Sequence, residues 1–239
     1  MIRINIFFFL TVILLQGNVN AQELVVPLDH NLQYKTGLIA SPYHQKPTAN
    51  TLPFFEDFSG NSIFPDNNKW IDHSVYINNT MGVNVISRGV ATFDALNAQS
   101  LPYDPSNALA LLYADSLTSL PFDFSSFIPS DSVYLSFFYQ PQGNGFAPET
   151  QDSLILFLKN KNSEWISVWS VAGSPLQSFR QVMIPITDTG FLHSSFQLRF
   201  VNKASININD DVWNLDYIRI NAHRTFTDTA VLDIATALP

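Results

Sequence analysis

The stretch VYLSFFY, residues 133–139, decides the fold class of this chain. Its apolar side chains fall at every second position, at Val133, Leu135, Phe137 and Tyr139. A period of two is the pattern of a β-strand with one face toward a core. The sequence therefore predicts an extended strand here, with its apolar face buried.

Similar short runs recur on both sides of this stretch, and turn signals such as Gly143-Asn-Gly145 and Asp188-Thr-Gly190 lie between them. No segment sustains the 3.6-residue period of a helix. About nine or ten short strands at such spacing predict an all-β protein, a two-sheet antiparallel β-sandwich of the jelly-roll kind. The predicted strands are 83–86, 90–93, 108–114, 133–139, 153–158, 165–169, 181–186, 196–200 and 212–220, after an opening run at 52–58.

The first 21 residues, MIRINIFFFLTVILLQGNVNA, have the pattern of a signal peptide. Arg3 supplies the positive charge, residues 6–15 form the apolar run, and Ala21 ends a stretch of compact side chains. A membrane-spanning helix needs about 20 apolar residues, so we expect cleavage and no membrane insertion of the mature chain. The protein is then exported, to the periplasm, the outer surface or the medium.

The rest of the chain divides by composition into three parts. Residues 22–50, with scattered prolines among polar residues, predict an extended N-terminal arm. Residues 51–222 carry the strand pattern and predict the β-sandwich domain. Residues 223–239 turn polar and predict a C-terminal tail, or the start of a further segment.

Composition narrows the possible partners. The 239-residue chain has a formal net charge of −8, with 13% charged and 13% aromatic residues, and it has no cysteine. A phosphate backbone requires a basic footprint, so nucleic acid is not an expected partner. A surface built from Ser, Thr, Asn and Gln suits glycans or a surface protein. Nothing in the sequence indicates an oligomeric state.

Catalytic motifs are missing from the sequence. It contains no nucleophile elbow, zinc-binding histidine pair, phosphate loop or dinucleotide fingerprint. The chain has only four glutamates, although aspartates are plentiful. We therefore predict a non-catalytic binding module, and a carbohydrate-active hydrolase with two paired carboxylates is the less favoured alternative.

The loop 140–149, QPQGNGFAPE, is the predicted ligand-binding segment. Amides at Gln142 and Asn144 and the carboxylate of Glu149 can bind sugar hydroxyls, and the ring of Phe146 can stack on a sugar. The alternative is a long hairpin connection in which Phe146 folds back onto the core.

A second candidate is a metal site. Residues 207–211, NINDD, and Asp216 supply oxygen atoms of the kind that Ca²⁺ prefers. In a regular strand Asp216 would share a face with Val212, Ile218 and Ile220, where an unpaired carboxylate is costly. The alternative is that Asp216 accepts hydrogen bonds from backbone N–H groups and that residues 209–211 form a turn.

Two tryptophans, Trp165 and Trp169, lie four residues apart and would share one face of a regular strand. As an exposed pair they would form a stacking platform for a ligand. Core packing is the alternative, since a tryptophan buries a large apolar area.

The opening segment 52–58, LPFFEDF, and the closing segments 196–202 and 211–218 resemble the first and last strands of MAM-type and concanavalin-like jelly rolls. This resemblance implies a Ca²⁺ site with Glu56, Asp57 and Asp216 as candidate ligands and Asp211 nearby. The chain departs from the MAM pattern because it lacks cysteine.

The stretch 134–143, with Glu149 and residues 152–154, is similar to uncharacterised exported proteins of Bacteroidota that occur among gliding and type IX secretion proteins. We predict that the module acts by binding, in adhesion or glycan recognition at the cell surface. The alternative role is that of an accessory component in a secretion or gliding-motility assembly.

Overall fold

The computed structural model describes residues 49–230. The predicted signal peptide, nearly all of the predicted arm and residues 231–239 of the predicted tail lie outside this range. Ten strands occur within it, joined by loops and one short 3₁₀ helix at Pro129–Asp131. They are β1 (Phe54–Glu56), β2 (Tyr76–Asn78), β3 (Val90–Phe93), β4 (Leu111–Thr118), β5 (Tyr134–Pro141), β6 (Ser153–Lys159), β7 (Trp165–Ala172), β8 (Arg180–Pro185), β9 (Leu198–Ser205) and β10 (Trp213–Asn221).

The strands form two antiparallel sheets, which confirms the predicted β-sandwich. The six-stranded sheet has the order β2-β3-β10-β5-β8, with β1 also paired to β10. The four-stranded sheet has the order β4-β9-β6-β7. Neighbours in space are often distant in sequence, as β5 and β10 are, so the sandwich is held by long-range pairing. Within residues 49–230 no helix is long and apolar enough to cross a membrane.

Aromatic rings fill the space between the sheets. Phe137 of β5 meets Phe200 of β9 edge-on, with ring centroids 4.8 Å apart, and meets Trp169 of β7 at 5.1 Å. Phe137 and Phe200 are fully buried. Edge-to-face contacts of this kind add to the area that the rings bury. The apolar side chains that alternate along residues 133–139 therefore face this aromatic layer, as predicted.

The outer face of the six-stranded sheet is covered by two segments of the chain. The loop 79–89 lies over it, since Val83 N–H donates to Gln140 Oε1 at 2.9 Å and Ser87 N–H donates to Asp216 Oδ2 at 2.8 Å. The second covering segment is residues 222–230, in which Arg224 Nη1 donates to Ser136 Oγ at 2.9 Å. These outward-facing polar side chains are buried and bonded to the cover instead of to water.

The predicted strand at 83–86 is therefore wrong, because this segment belongs to the covering loop. Its short apolar run satisfies the strand pattern, but its N–H groups bond to side chains of the sheet below. Strand β2 has only three residues and gives no periodic signal. β4 begins and ends later than the predicted 108–114, because its second half alternates apolar with Ser and Thr.

A β-bulge separates the two tryptophans of β7. Leu156 pairs with Trp169, but the next residue, Phe157, pairs with Ser167, so Val168 is an extra residue in β7. One extra residue moves all later side chains to the opposite face. The prediction that Trp165 and Trp169 share a face is wrong: Trp169 packs against the core, and Trp165 lies on the outside.

A second β-bulge, in β10, changes which face of the sheet Asp216 lies on relative to the residues that follow it. Asp216 pairs with Phe138 and Arg219 with Ser136, so two residues of β10 stand opposite one of β5. Tyr217 has a φ of 53° there. Ile218 and Ile220 therefore face the core while Asp216 faces outward, contrary to the face predicted for Asp216.

The β7 bulge predicts a large difference between two alanine variants. Trp169→Ala leaves a hole beside Phe137, and we expect it to lower the free energy of unfolding by about 3 kcal/mol. Trp165→Ala removes a ring from the outside of the sheet and should cost about 1 kcal/mol or less. Urea denaturation of both variants measures the difference; equal losses would mean that the bulge is absent.

Candidate functional site

The outer face of the four-stranded sheet differs from the covered face of its partner. We call it the open face, defined by the outward side chains of its strands. Tyr113 of β4 is opposite Lys203 of β9, and Arg199 of β9 is opposite Phe157 of β6. Alternation places these side chains away from the core, because their neighbours Phe200 and Leu156 face inward. The open-face residues used below are Tyr113, Ser153, Phe157, Lys159, Trp165, Ser167, Ser170, Arg199 and Lys203.

Two aromatic rings form the middle of the open face. Tyr113 is 61% exposed, and its ring meets that of Phe157 edge-on at a centroid distance of 6.0 Å. The paired residues Val201 and Ile155 lie on the same face and are buried. The ring of Tyr113 is thus exposed and that of Phe157 is half-buried, so the open face presents two adjacent aromatic rings.

An arginine and a tryptophan are stacked at the other end of the open face. The guanidinium carbon of Arg199 lies 4.0 Å from the ring centroid of Trp165. The Arg199 Nε–H also donates to Thr118 Oγ1 at 2.9 Å. Together, this cation–π contact and this hydrogen bond fix the plane of the guanidinium.

The predicted ligand loop 140–149 is tied to its neighbours by its amides. Gln142 Oε1 accepts from Leu176 N–H at 2.8 Å, and Asn144 Nδ2 donates to Thr80 O at 2.8 Å. Gly143 has a φ of 60°, and a Cβ there would lie 2.1 Å from Met81 O. Phe146, which is 40% exposed, and Glu149 remain at the surface.

A cluster of carboxylates lies where the loop 142–152 meets the loop 206–212, at the end of the four-stranded sheet. Glu149, Asp210 and Asp211 each offer an oxygen atom, and these atoms lie within 4.8 Å of one another. Such a group could hold a metal ion. Asp210 and Asp211 belong to the segment 207–211 that was predicted to bind a metal, and Asp211 was also a named candidate ligand, whereas Glu149 was predicted as a sugar ligand.

A fourth carboxylate, Asp152, belongs to the same cluster, which we call the acidic site. Its Oδ2 accepts from Glu149 N–H at 2.6 Å, and Asp211 Oδ2 accepts from Ser205 N–H at 2.7 Å. The other oxygens, Asp152 Oδ1 and Asp211 Oδ1, are buried without a hydrogen-bond partner. Buried polar atoms are nearly always bonded, so these two oxygens need a proton or a cation.

The electrostatics of the acidic site lead to the same need. Burial raises the pKa of Asp152, and the neighbouring Asp211 carboxylate raises it further. Burial also raises the pKa of Asp211 and that of Asp210. Carboxylates that share a dry site repel one another, and a bound cation relieves that repulsion.

The other predicted metal ligands are bonded to protein donors. Glu56 Oε2 accepts from Trp70 Nε1 at 3.0 Å and lies 3.3 Å from Lys69 Nζ. Asp57 Oδ1 accepts from the N–H and hydroxyl of Ser59 at 3.1 and 2.7 Å. Asp216 accepts three hydrogen bonds from the covering loop. The alternative given in the sequence analysis, in which Asp216 accepts hydrogen bonds from backbone N–H groups, is therefore the one in the structure.

A cleft of about 330 Å³ lies beside β2, at the edge of the six-stranded sheet. Its wall combines apolar side chains such as Phe58 and Ile77 with amide and hydroxyl groups, and Arg88 is its one cation. No carboxylate lines it. Asn144 supports this wall through its bond to Thr80 O, so the loop 140–149 positions the cleft without lining it.

Comparison with known proteins gives fold likenesses only. No protein-family model matches the chain, and no curated protein matches it in sequence. The chain is similar to the xylan-binding CBM22-1 domain of Paenibacillus barcinonensis Xyn10C, with 9% identity over 72% of this chain and 94% of that one and a TM-score of 0.38. It is also similar to a CBM28 carbohydrate-binding module specific for non-crystalline cellulose, with 12% identity over 76% and 99% and a TM-score of 0.42.

An arabinose-bound GH51 α-L-arabinofuranosidase is a third similar structure, with 9% identity and a TM-score of 0.44. The match covers 70% of this chain but only 25% of that enzyme. With TM-scores below 0.5, these likenesses do not indicate a ligand for this chain. The fold is assigned from the strand pairing described above. The MAM-type and Bacteroidota resemblances remain predictions.

Sequence reasoning did not assemble either site. The open face draws Tyr113, Phe157 and Arg199 from three strands, and only Trp165 among its residues was singled out. The acidic site joins residues predicted for two separate purposes. The order β4-β9-β6 is what brings them together, and no local pattern encodes that order.

Asp216 generates a pH prediction. Burial raises the pKa of Asp216 to about 7, although the hydrogen bonds from Ser87 lower it in part. An unfolded Asp titrates near ~3.9, so between these values the folded protein binds more protons than the unfolded one. The contribution of Asp216 is therefore fully present below the unfolded pKa and is lost as the pH rises through about 7.

We expect the free energy of unfolding in the presence of a chelator to fall by about 2 kcal/mol more between pH 5 and pH 7 in the wild type than in Asp216→Asn. Urea denaturation at several pH values measures both slopes. Asp57→Asn, in a turn near the same loop, is the control and should keep the wild-type slope. Parallel slopes in wild type and Asp216→Asn would contradict the pH dependence assigned to Asp216.

Proposed function

We propose that the protein is a non-catalytic glycan-binding module that acts outside the cell, and that its ligand lies across the open face. One observation carries this proposal: one sheet has a covered outer face, whereas the other presents the exposed ring of Tyr113 beside the half-buried ring of Phe157. The signal-peptide pattern of residues 1–21 supports the location.

The chemistry of the open face suits a sugar. The C–H faces of a pyranose ring are apolar and pack on aromatic rings, while its hydroxyls need hydrogen-bond partners. Ser153, Ser167 and Ser170 stand on the same face as the rings and supply such partners. Mixed aromatic and polar side chains on a rigid sheet therefore match both sides of a sugar.

The competing roles fit the open face less well. A protein partner, as in an adhesion or gliding assembly, prefers a continuous apolar patch, and here Lys159, Arg199 and Lys203 interrupt the rings. A hydrolase needs two carboxyls across a cleft, and no carboxylate lines the cleft beside β2. Reducing-end release from a bound polysaccharide would favour the hydrolase.

Alanine variants test the open face against the loop 140–149. We expect Tyr113→Ala and Phe157→Ala each to weaken binding to a soluble polysaccharide that the wild type retains by about tenfold, which is about 1.4 kcal/mol for one ring contact. Affinity electrophoresis against a panel of polysaccharides finds the ligand, and calorimetry measures the dissociation constants.

Two other exposed aromatic residues are matched controls. Phe226 is 67% exposed and lies in the segment that covers the other sheet, so Phe226→Ala should bind as the wild type does. Phe146→Ala should also bind normally. Loss of binding in Phe146→Ala with normal binding in Tyr113→Ala would assign the ligand to the loop instead.

We also propose that the acidic site binds Ca²⁺. Ca²⁺ takes six to eight oxygen ligands and tolerates irregular geometry, and four carboxylates converge here from two loops. Asp152 and Asp211 are 1% and 0% exposed, and each has one buried oxygen without a partner. Glu149, by contrast, is exposed and leaves the cluster accessible to an ion from solvent.

Melting curves with CaCl₂ and with chelator test this proposal. Saturation at about a hundred times the dissociation constant should raise the wild-type stability by about 2.7 kcal/mol. Asp211→Asn should lose most of this gain, yet it should be more stable than the wild type in chelator, because one of the crowded charges is gone. Calorimetry should show heat of Ca²⁺ binding for the wild type and little or none for Asp211→Asn.

Asp57→Asn is the matched control, since Asp57 belongs to the metal site predicted from the jelly-roll resemblance. It should keep the full response to Ca²⁺. A response that disappears in Asp57→Asn and persists in Asp211→Asn would place the ion at the N-terminal strand. No response in the wild type would remove the metal altogether.

A further inference from the structure

The open face concentrates positive charge on a protein that is acidic overall. Lys159, Arg199 and Lys203 stand on its two central strands, β6 and β9, while the whole chain has a net charge of −8. Within residues 49–230 the ion pairs involve other cations, Lys69, Arg219 and Arg224. The three cations of the open face thus have no carboxylate partner in the described part of the chain.

The carboxylates nearest to these strands in sequence point elsewhere. Asp115 of β4 accepts from the N–H groups of Asp94 and Ala95, both at 2.8 Å. Asp152 accepts from Glu149 N–H, and Glu164 accepts from Asn160 Nδ2 at 2.8 Å. The positive charge of the open face is therefore available to a ligand.

Arg199 is already arranged as a carboxylate receptor. Its stacking on Trp165 and the bond from its Nε to Thr118 Oγ1 fix the guanidinium plane. Its Nη1 and Nη2 have no hydrogen-bond partner within residues 49–230. A planar fork of N–H groups that is fixed in advance binds a carboxylate in two parallel hydrogen bonds and loses little entropy in doing so.

The spacing of the charges suits a chain of sugars more than a single one. Arg199 and Lys203 are four residues apart on β9, about 13 Å at the rise of a strand. Tyr113 lies opposite Lys203, and Phe157 lies opposite Arg199, so each cation has a ring beside it. Two such pairs along one strand offer successive places for a charged sugar to stack and pair.

We propose that the open face selects polysaccharides that carry carboxylates, that is, chains containing uronic acid residues. This inference rests on the proposed glycan-binding function and narrows its ligand class. Arg199 supplies the two hydrogen bonds to one carboxylate, Lys203 and Lys159 attract the others, and the aromatic rings hold the sugar faces. Neutral polysaccharides use the rings alone and bind more weakly.

The test compares polygalacturonate with the same polymer after complete methyl esterification, which removes the charge and keeps the sugar. Calorimetry with the mature full-length chain in 50 mM NaCl should show at least about tenfold tighter binding of the free acid. This preference should shrink in 500 mM NaCl, where exposed charges are screened.

Variants assign the preference to Arg199. Arg199→Gln should weaken binding of the acid by about tenfold and binding of the ester by much less, because an ester accepts weaker hydrogen bonds than a carboxylate. Arg199→Lys keeps the charge but loses the fork, and it should recover only part of the loss. Arg180→Gln, the same change at an exposed position of β8 in the other sheet, is the control and should bind normally.

The outcomes separate this inference from the proposed function. Equal affinities for acid and ester, with both weakened by Tyr113→Ala, would overturn the uronate inference and leave the glycan-binding module standing. Equal binding of dextran sulfate, insensitive to Arg199→Lys, would show nonspecific charge attraction and overturn it too. No binding of any polysaccharide by the wild type would overturn both.

Discussion

The aromatic layer between the two sheets determines which way the other side chains point. Phe137, Trp169 and Phe200 meet there, and each fixes the register of its own strand. Because side chains alternate along a strand, fixing one inward residue fixes the outward residues on either side of it. The covered face and the open face are both consequences of this packing, and a shift of register by one residue would exchange core and surface.

The sequence predicted most of the strands. It predicted which side chains face the core only as far as the first β-bulge in a strand. The alternation in residues 133–139 gives β5 and its inward face directly. In β7 and β10 the same counting fails, because the extra residues near Val168 and Tyr217 reverse the faces of Trp165 and Asp216. Bulges are set by how a strand fits its neighbours, and the sequence of one strand does not show them.

The candidate sites were harder to predict than the fold for a related reason. Glu149 and Asp211 are far apart in the chain and were assigned to a sugar loop and a metal site. They meet because the loops that carry them are bonded together, with Val212 N–H donating to Phe146 O at 3.1 Å. Residue types predicted the kind of chemistry present, whereas the strand order decided which residues share a site.

The acidic site adjoins the open face, since its two loops precede β6 and follow β9. Lys203 pairs with Ser153, which directly follows Asp152 of the acidic site. Empty and ionised, the acidic site would place negative charge at the end of the surface proposed to receive an anionic polysaccharide. A divalent cation bound there would cancel that charge. If the acidic site binds Ca²⁺ and the open face binds a uronate chain, as proposed, each ligand should therefore favour the other, because the coupling between two ligands is equal in both directions.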